Sequence, residues 1–473
     1  MSAAARLALL AVAAAGCADR SLSEVPPRPS GEQRQEIPVS TNRDIDILFV
    51  VDDSDSMRQE QGSLGRNFPE FVRVLESIGD LPDLHLGVIS SDVGTAPFAV
   101  DNCEGQGDDG LLQVPATCPP LTDGRLYIEN IADADATGGR RVNVDPATTM
   151  AQQFECMASV GHDGCGFEQH FESMRRALDG RNGDFLRDDA FLAVIFIQDE
   201  DDCSASDRAV FDPGDPSLGI LSSFRCFEYG VRCEPDGDPR APGPREDCAP
   251  RDDSPFIDDV QSYVEFLRSL KADPARVIVA GIAGAAAPVS VEVDPNRTSG
   301  ELWTPPVCTV CPGGGSSCAI DSALVSARPT VRLHALLDAF PQKSTFQDIC
   351  AYDPDIDDVD LSGALVQIAA LLRRALGSPC IAGALADGDP DEPGVQPLCS
   401  VSDVIHLRQP EQEEQLLAAC AGALTCDADV PDPPCYRFEL NEGCGSESNL
   451  TITIDRCEPP PPDTTVVVRC AVD

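Results

Sequence analysis

Histidine is scarce in this chain of 473 residues, which carries five His and a single Trp. The common catalytic signatures are missing too. No G-x-S-x-G, H-E-x-x-H, G-x-x-x-x-G-K or G-x-G-x-x-G stands in a context where it could work. Without a nucleophile elbow, and with so few imidazoles, hydrolysis by a Ser/His pair is not expected, and the chain is expected not to be an enzyme. Basic residues are in deficit as well: 34 Lys and Arg against 80 Asp and Glu leave a formal charge of -46. Such a field repels nucleic acid and anionic membrane surfaces, and it draws divalent cations and basic partners. After residue 17 no apolar run is long enough to cross a bilayer as a helix, so membrane attachment would rest on the N-terminus alone.

The N-terminus carries a targeting segment over residues 1–16. Arg6 supplies a small positive region, residues 7–15 are apolar, and Ala14, Ala15 and Gly16 are small residues ahead of Cys17. Small residues directly before a cysteine resemble a bacterial lipoprotein signal, which implies cleavage after residue 16 and lipid attachment at Cys17. Ala14 stands where such signals usually carry Leu, and an ordinary secretory signal is the alternative. Ala18 rather than Asp follows the cysteine, so nothing argues for inner-membrane retention. The expected location is the outer membrane or cell surface of a Gram-negative-type bacterium. Of 21 Cys, 20 remain once Cys17 is set aside, an even number that could all pair in an oxidising compartment. Zinc is the alternative for Cys308, Cys311 and Cys318, although only one C-x-x-C pair is present. Residues 17–43, polar and Pro-bearing, read as a flexible tether.

The stretch on which the rest turns is DILFVVDDSDSM, residues 46–57. Residues 47–51 form an unbroken apolar run, suited to a strand buried on both faces of a parallel sheet. The run stops at Asp52, and Asp52, Ser54 and Ser56 follow as D-x-S-x-S. One carboxylate and two hydroxyls at alternate positions of a tight loop can point inward together, a ligand set for Mg²⁺, Mn²⁺ or Ca²⁺. Such a loop beyond the carboxyl end of a strand lies where open α/β sheets bind ligands. The bland alternative is an acidic turn in which Ser54 and Ser56 cap the next helix. At this point the sequence resembles the von Willebrand factor A family, whose metal-ion-dependent adhesion site is D-x-S-x-S. The resemblance implies an ion with one open coordination position, filled by an acidic side chain of a protein partner. It also implies an Asp at the end of a later strand, and Asp199 in FIQDEDDCS occupies that place, followed by Glu200, Asp201 and Asp202. The family's Thr is missing from the corresponding loop, residues 160–169 (VGHDGCGFEQ), where Asp163 or Glu168 could supply an oxygen instead. An anionic replacement would weaken the pull on an incoming carboxylate. His162 and His170 read as surface residues rather than transition-metal ligands.

Strand and helix signals alternate from residue 44 to 378. Strands are expected at 85–90, 124–129, 191–197, 276–282 and 344–351. Helices are expected after the Asp52 loop, on Leu64, Phe68, Phe71, Val72 and Leu75, and at 167–178, 258–270, 331–340 and 361–376. The order resembles the von Willebrand factor A domain and implies an α/β fold with a doubly wound, mostly parallel sheet. Two Cys-rich inserts, about 203–253 and 288–329, follow strands and should rise from the rim that carries the metal site. Residues 379–473 read as a small disulfide-rich β domain. The resulting expectation is a surface-anchored, cation-dependent protein-binding module of adhesion type. The alternatives are a structural envelope lipoprotein whose ion only stabilises the fold and, further off, a metal-assisted hydrolase with Glu200 as base.

Overall fold

The computed structural model describes residues 31–38, 44–76, 81–376, 381–422, 432–440 and 449–472, apart from short gaps at 104, 134, 137–138, 235–236, 296, 298, 317, 319–322, 382, 390–394, 458–459 and 462–463. The targeting segment and Cys17 lie outside the described residues. The chain is mixed α/β with several sheets. Its central sheet has seven strands: β2 (Ile45–Val51), β3 (Leu84–Ser90), β4 (Ile128–Ala132), β5 (Arg140–Val142), β6 (Phe191–Ile197), β9 (Val277–Ala283) and β14 (Ser344–Asp348), in the order β14-β9-β6-β2-β3-β4-β5. The four junctions from β14 to β3 are parallel, and the edge pairs β3/β4 and β4/β5 are antiparallel. Most other strand pairings among the described residues are antiparallel, so parallel pairing is concentrated in this sheet rather than a rule for the chain.

β2 is buried along its whole length. Ile45, Ile47, Phe49 and Val51 pack with α1 (Arg58–Glu76), α2 (Met150–Ala158) and α7 (Ser362–Ala375). Leu48 and Val50 pack on the other side with α3 (His170–Arg176), α5 (Val260–Ser269) and α6 (Val331–Asp338). A strand covered on both faces needs apolar side chains in both registers, hence the missing polar alternation. Asp46 is the exception, buried against Arg187 at 2.8 Å and Lys271 at 3.6 Å. Phe49, Phe68, Phe71 and Phe154 pack as an aromatic cluster, with the Phe68 and Phe154 rings stacked 3.7 Å apart. Phe154→Leu is expected to cost about 1–2 kcal/mol in urea unfolding. A loss below about 0.5 kcal/mol would contradict this packing of α2.

Several expectations need correction. The strand expected at 124–129 begins only at Ile128, because Gly124 closes a turn onto the Leu121 carbonyl with a φ of 78°. The helix expected at 167–178 starts at His170, and residues 167–169 are spent on the loop that feeds the site. α2 was not expected, although its capping box, Thr149 with Gln152, is visible in the sequence. The inserts are not separate loops. β7 (Val231–Glu234) and β8 (Gly243–Pro250) of the first join β10 (Val289–Val293) and β11 (Leu302–Trp303) of the second in one sheet, order β11-β10-β8-β7. The first insert also holds α4 (Phe224–Gly230). In the second, β12 (Cys308–Val310) pairs with β13 (Val325–Ala327), and beyond it β15 (Tyr352–Asp353) pairs with β16 (Asp358–Val359).

Part of the stretch read as a tether is a strand. β1 (Gly31–Pro38) pairs antiparallel with β21 (Thr464–Val472) from Gly31 opposite Val472 to Pro38 opposite Thr465. It completes a six-stranded sheet with β17 (Cys399–Ile405), β18 (Glu413–Ala419), β19 (Cys435–Leu440) and β20 (Leu450–Asp455), order β1-β21-β17-β18-β19-β20. An edge strand satisfies its partner through backbone bonds, so a polar sequence with Ile37 buried is enough.

Disulfides staple the inserts and the terminal sheet: Cys203–Cys226, Cys233–Cys248, Cys308–Cys350, Cys311–Cys318, Cys399–Cys470 and Cys420–Cys435, with Cys103–Cys165 and Cys118–Cys156 in the central region. This closes the zinc alternative, since Cys308, Cys311 and Cys318 are all paired. Bridges at this density belong to an extracellular or otherwise oxidising setting. No described helix is long and apolar enough to cross a membrane.

Candidate metal centre

The ladder between β2 and β6 runs one step past Val51: the Asp52 N–H donates to the Ile197 carbonyl at 3.0 Å. Asp52 and Asp199 therefore leave neighbouring parallel strands at the same edge. Asp52 Oδ1 accepts the Ser54 N–H at 2.8 Å, a local turn that brings the Ser54 and Ser56 hydroxyls to 3.0 Å of each other. Ser54 precedes the short 3-10 turn Asp55–Met57, yet its hydroxyl caps nothing. The capping alternative is therefore not what Ser54 does. Against burial and the other influences on it, the Ser56 side chain pulls the Asp199 carboxyl down.

Two carboxylate oxygens at this edge are orphaned. Asp52 is fully buried and its Oδ2 has no hydrogen-bond partner; Asp199 is 4% exposed and its Oδ1 has none. Buried carboxylates left this way are costly unless a proton or a cation supplies what water did. Burial pushes the Asp199 carboxyl well above the usual range, and Asp52, Glu200 and Glu60 push it further. Glu168 is raised well above the ordinary range by burial, then by Glu200 and Asp52. Glu200 is raised by burial against the pull of Arg328, whose guanidinium lies 3.0 Å away.

The loop that lacks Thr sends Glu168 to the site and not Asp163. Glu168 is buried in the cleft lining, while Asp163 is almost fully exposed beside His162. Asp201 and Asp202 also turn away. Asp201 accepts the Arg332 and Leu333 N–H groups at the start of α6, and Asp202 pairs with Arg332 at 3.0 Å. Two residues, Glu60 and Arg328, escaped the sequence reading, and a third, His170, was misplaced by it. Glu60, on the first turn of α1, is fully buried with both carboxylate oxygens unpartnered, and burial with Asp52 nearby pushes it up to about 8. His170 is not on the surface: it is fully buried, with Nε2 3.4 Å from Asp52 Oδ2. Arg328 donates its backbone N–H to the Asp199 carbonyl at 2.7 Å and its guanidinium to Ser223 at 2.8 Å. A buried Glu at the start of α1 was visible as a polar residue on an apolar face; nothing local marked the other two.

A cleft of about 570 Å³ opens above these groups. Ser54, Ser56, Glu168 and Glu200 line its base, Ser222 and Ser223 come from the first insert, and Arg297, Trp303 and Arg328 from the second.

The residues fit a hard or borderline divalent cation. They offer unpartnered buried carboxylate oxygens, adjacent hydroxyls and excess negative charge. No three of the site's carboxylate or imidazole atoms lie mutually within 4.8 Å, so the set depends on the hydroxyls and on water as well. The triads that do meet that distance among the described residues, Cys308–Asp348–Cys350 and Cys420–Cys435–Asp455, use cysteines already in disulfides.

No family model matches the chain, and no curated protein matches it. Among solved structures it is similar to the pilus adhesin SpaC from Lactobacillus rhamnosus GG in the open conformation, at 13% identity and a TM-score of 0.31, over 93% of this chain and 42% of that one. It is also similar to a von Willebrand factor type A protein from Catenulispora acidiphila, at 10% identity and a TM-score of 0.28, over 95% of this chain and 67% of that one. The chain thus spans less than half the length of the adhesin.

Proposed function

We propose that this chain is a divalent-cation-dependent protein-binding module of the adhesion type, carried to the cell surface and tethered through a lipid on Cys17. Asp52, Ser54, Ser56 and Asp199 hold Mg²⁺, Mn²⁺ or Ca²⁺, and an acidic side chain of a protein partner approaches the ion through the cleft. Binding, not turnover, is the role, with no nucleic-acid partner and membrane contact only through the anchor. The observation that carries this reading is the pair of orphaned oxygens, Asp52 Oδ2 and Asp199 Oδ1, at adjacent strand ends beside the two serine hydroxyls. The two inserts support it, since both contribute residues to the cleft and they share one sheet, whose β11 brings Leu302 and Trp303 to the lining.

A specific observation favours a second reading. Glu168 stands in place of a neutral hydroxyl, and Glu60 adds a further buried carboxyl. Together they lower the charge an ion would present to an incoming carboxylate. On this reading the ion only stabilises the fold of an envelope lipoprotein. Asp52→Ala separates the two. The adhesive reading expects the heat of cation binding and capture of the partner to vanish, with the melting temperature of the metal-free protein little changed. Loss of melting temperature on cation removal with capture intact would favour the structural reading. Parent-like cation binding in Asp52→Ala would end both.

A further inference from the structure

We propose that His170 is itself a ligand of the ion, making the centre a mixed nitrogen–oxygen site that prefers Mn²⁺, Co²⁺ or Zn²⁺ to Mg²⁺ and Ca²⁺; this rests on the cation-binding reading above. His170 is fully buried, and neither ring nitrogen has a hydrogen-bond partner. That is unusual for a buried polar side chain. Of the other histidines, His85 Nδ1 meets the Phe185 carbonyl at 2.8 Å and His162 Nδ1 meets the Arg58 guanidinium at 2.8 Å. His170 Nε2 instead faces Asp52 Oδ2 at 3.4 Å without forming a hydrogen bond, and that oxygen also lacks a partner. Two orphaned ligand atoms thus face each other inside the fold.

Their spacing is that of two ligands on one ion. With bonds of about 2.1 Å, neighbouring ligands stand roughly 3.0 Å apart in an octahedral shell and roughly 3.4 Å in a tetrahedral one. Imidazole suits Zn²⁺ and Co²⁺ best, Mn²⁺ accepts a mixed nitrogen–oxygen shell more weakly, and Mg²⁺ and Ca²⁺ favour shells made of oxygen. Glu200 lies within electrostatic reach of the same imidazole, so the ring sits among carboxylates and not in an apolar pocket.

The test uses metal-stripped full chain with its disulfides intact. Isothermal titration with MgCl₂, CaCl₂, MnCl₂, CoCl₂ and ZnCl₂ is run on the parent, His170→Gln and Asp52→Ala. The parent is expected to bind Mn²⁺, Co²⁺ and Zn²⁺ at least about tenfold tighter than Mg²⁺, and His170→Gln to lose most of that margin while keeping Mg²⁺ affinity within a few fold. Because His170→Gln could fail to fold, pulsed electron paramagnetic resonance of the Mn²⁺-loaded parent provides a second readout. Coupling to an imidazole nitrogen is expected, and Asp52→Ala should abolish it. Mg²⁺ binding as tight as Mn²⁺ binding, or Mn²⁺ without nitrogen coupling, would overturn the role of His170 and leave the cation site standing. No binding of any ion by folded parent would remove the site itself.

Discussion

Stripped of divalent cations, the protein is expected to lose stability as pH rises from about 5.5 to about 8.5, and saturating Mg²⁺ is expected to restore most of the loss. The cause is the set of buried carboxyls around Asp52. Burial, with Asp52 close by, pushes Glu60 from 4.5 up to about 8, and burial with Asp52 and Asp92 pushes Asp53 from 3.8 up to about 8. Both folded values lie above the unfolded ones, so the folded state holds the extra protons. Their contribution is fully present below about pH 4 and disappears as pH climbs through about 8. For fully buried Glu60 the change from 4.5 to about 8, at about 1.4 kcal/mol per tenfold, is on the order of 5 kcal/mol. In a chain of this size that is a fall of roughly 5 °C in melting temperature. On the cation-binding reading a divalent cation would compete with the same protons, and its stabilising effect is expected to be larger at the higher pH. Calorimetric melting across this pH range, with chelator and with Mg²⁺, checks the expectation. A chelated protein as stable at about pH 8.5 as at about pH 5.5 would contradict it.

Arg332→Ala is expected to cost roughly 3–5 kcal/mol in urea unfolding and to weaken cation binding at the same time. The Arg332 and Asp202 side chains are both fully buried and paired at 3.0 Å. Truncation leaves Asp202 charged and unpaired in the interior, which is where most of the loss arises. Asp202 also fixes the site. Its Oδ1 accepts the Phe171 N–H at 2.9 Å and the Ser204 hydroxyl at 2.6 Å, so it ties the start of α3, beside His170, to the loop that follows Asp199. The double replacement Arg332→Met with Asp202→Asn should recover much of the stability, because no charge is then stranded. A single-variant loss below about 1 kcal/mol would show that the pair does not organise this edge.

Much of the central sheet could be read in advance because its constraint is local. A strand covered by helices on both faces must be apolar at every step, and FLAVIFI coincides with β6 from Phe191 to Ile197. The D-x-S-x-S turn was legible for the same reason: Asp52 and the two serines lie within five residues, and the turn that joins them is made by one side chain and one backbone N–H. β1 and β8 were not legible. Their sequences, GEQRQEIP and GPREDCAP, carry no apolar period, and their place follows from backbone pairing with strands distant in the chain. α2 was missed because its apolar face spans only nine residues, too short to stand out against the loops around it.

What the chain determined by itself was a set of local chemistries: buried strands, a hydroxyl and carboxylate turn, and cysteines suited to an oxidising compartment. Which groups share one space was decided only by the tertiary structure. The register of β2 against β6 sets Asp52 beside Asp199, and the loop into α3 delivers Glu168 and His170 while leaving Asp163 and His162 outside. The pairing of β8 with β10 joins two distant inserts in one sheet. Such choices depend on contacts between residues far apart in the sequence, where no local propensity or spacing can act.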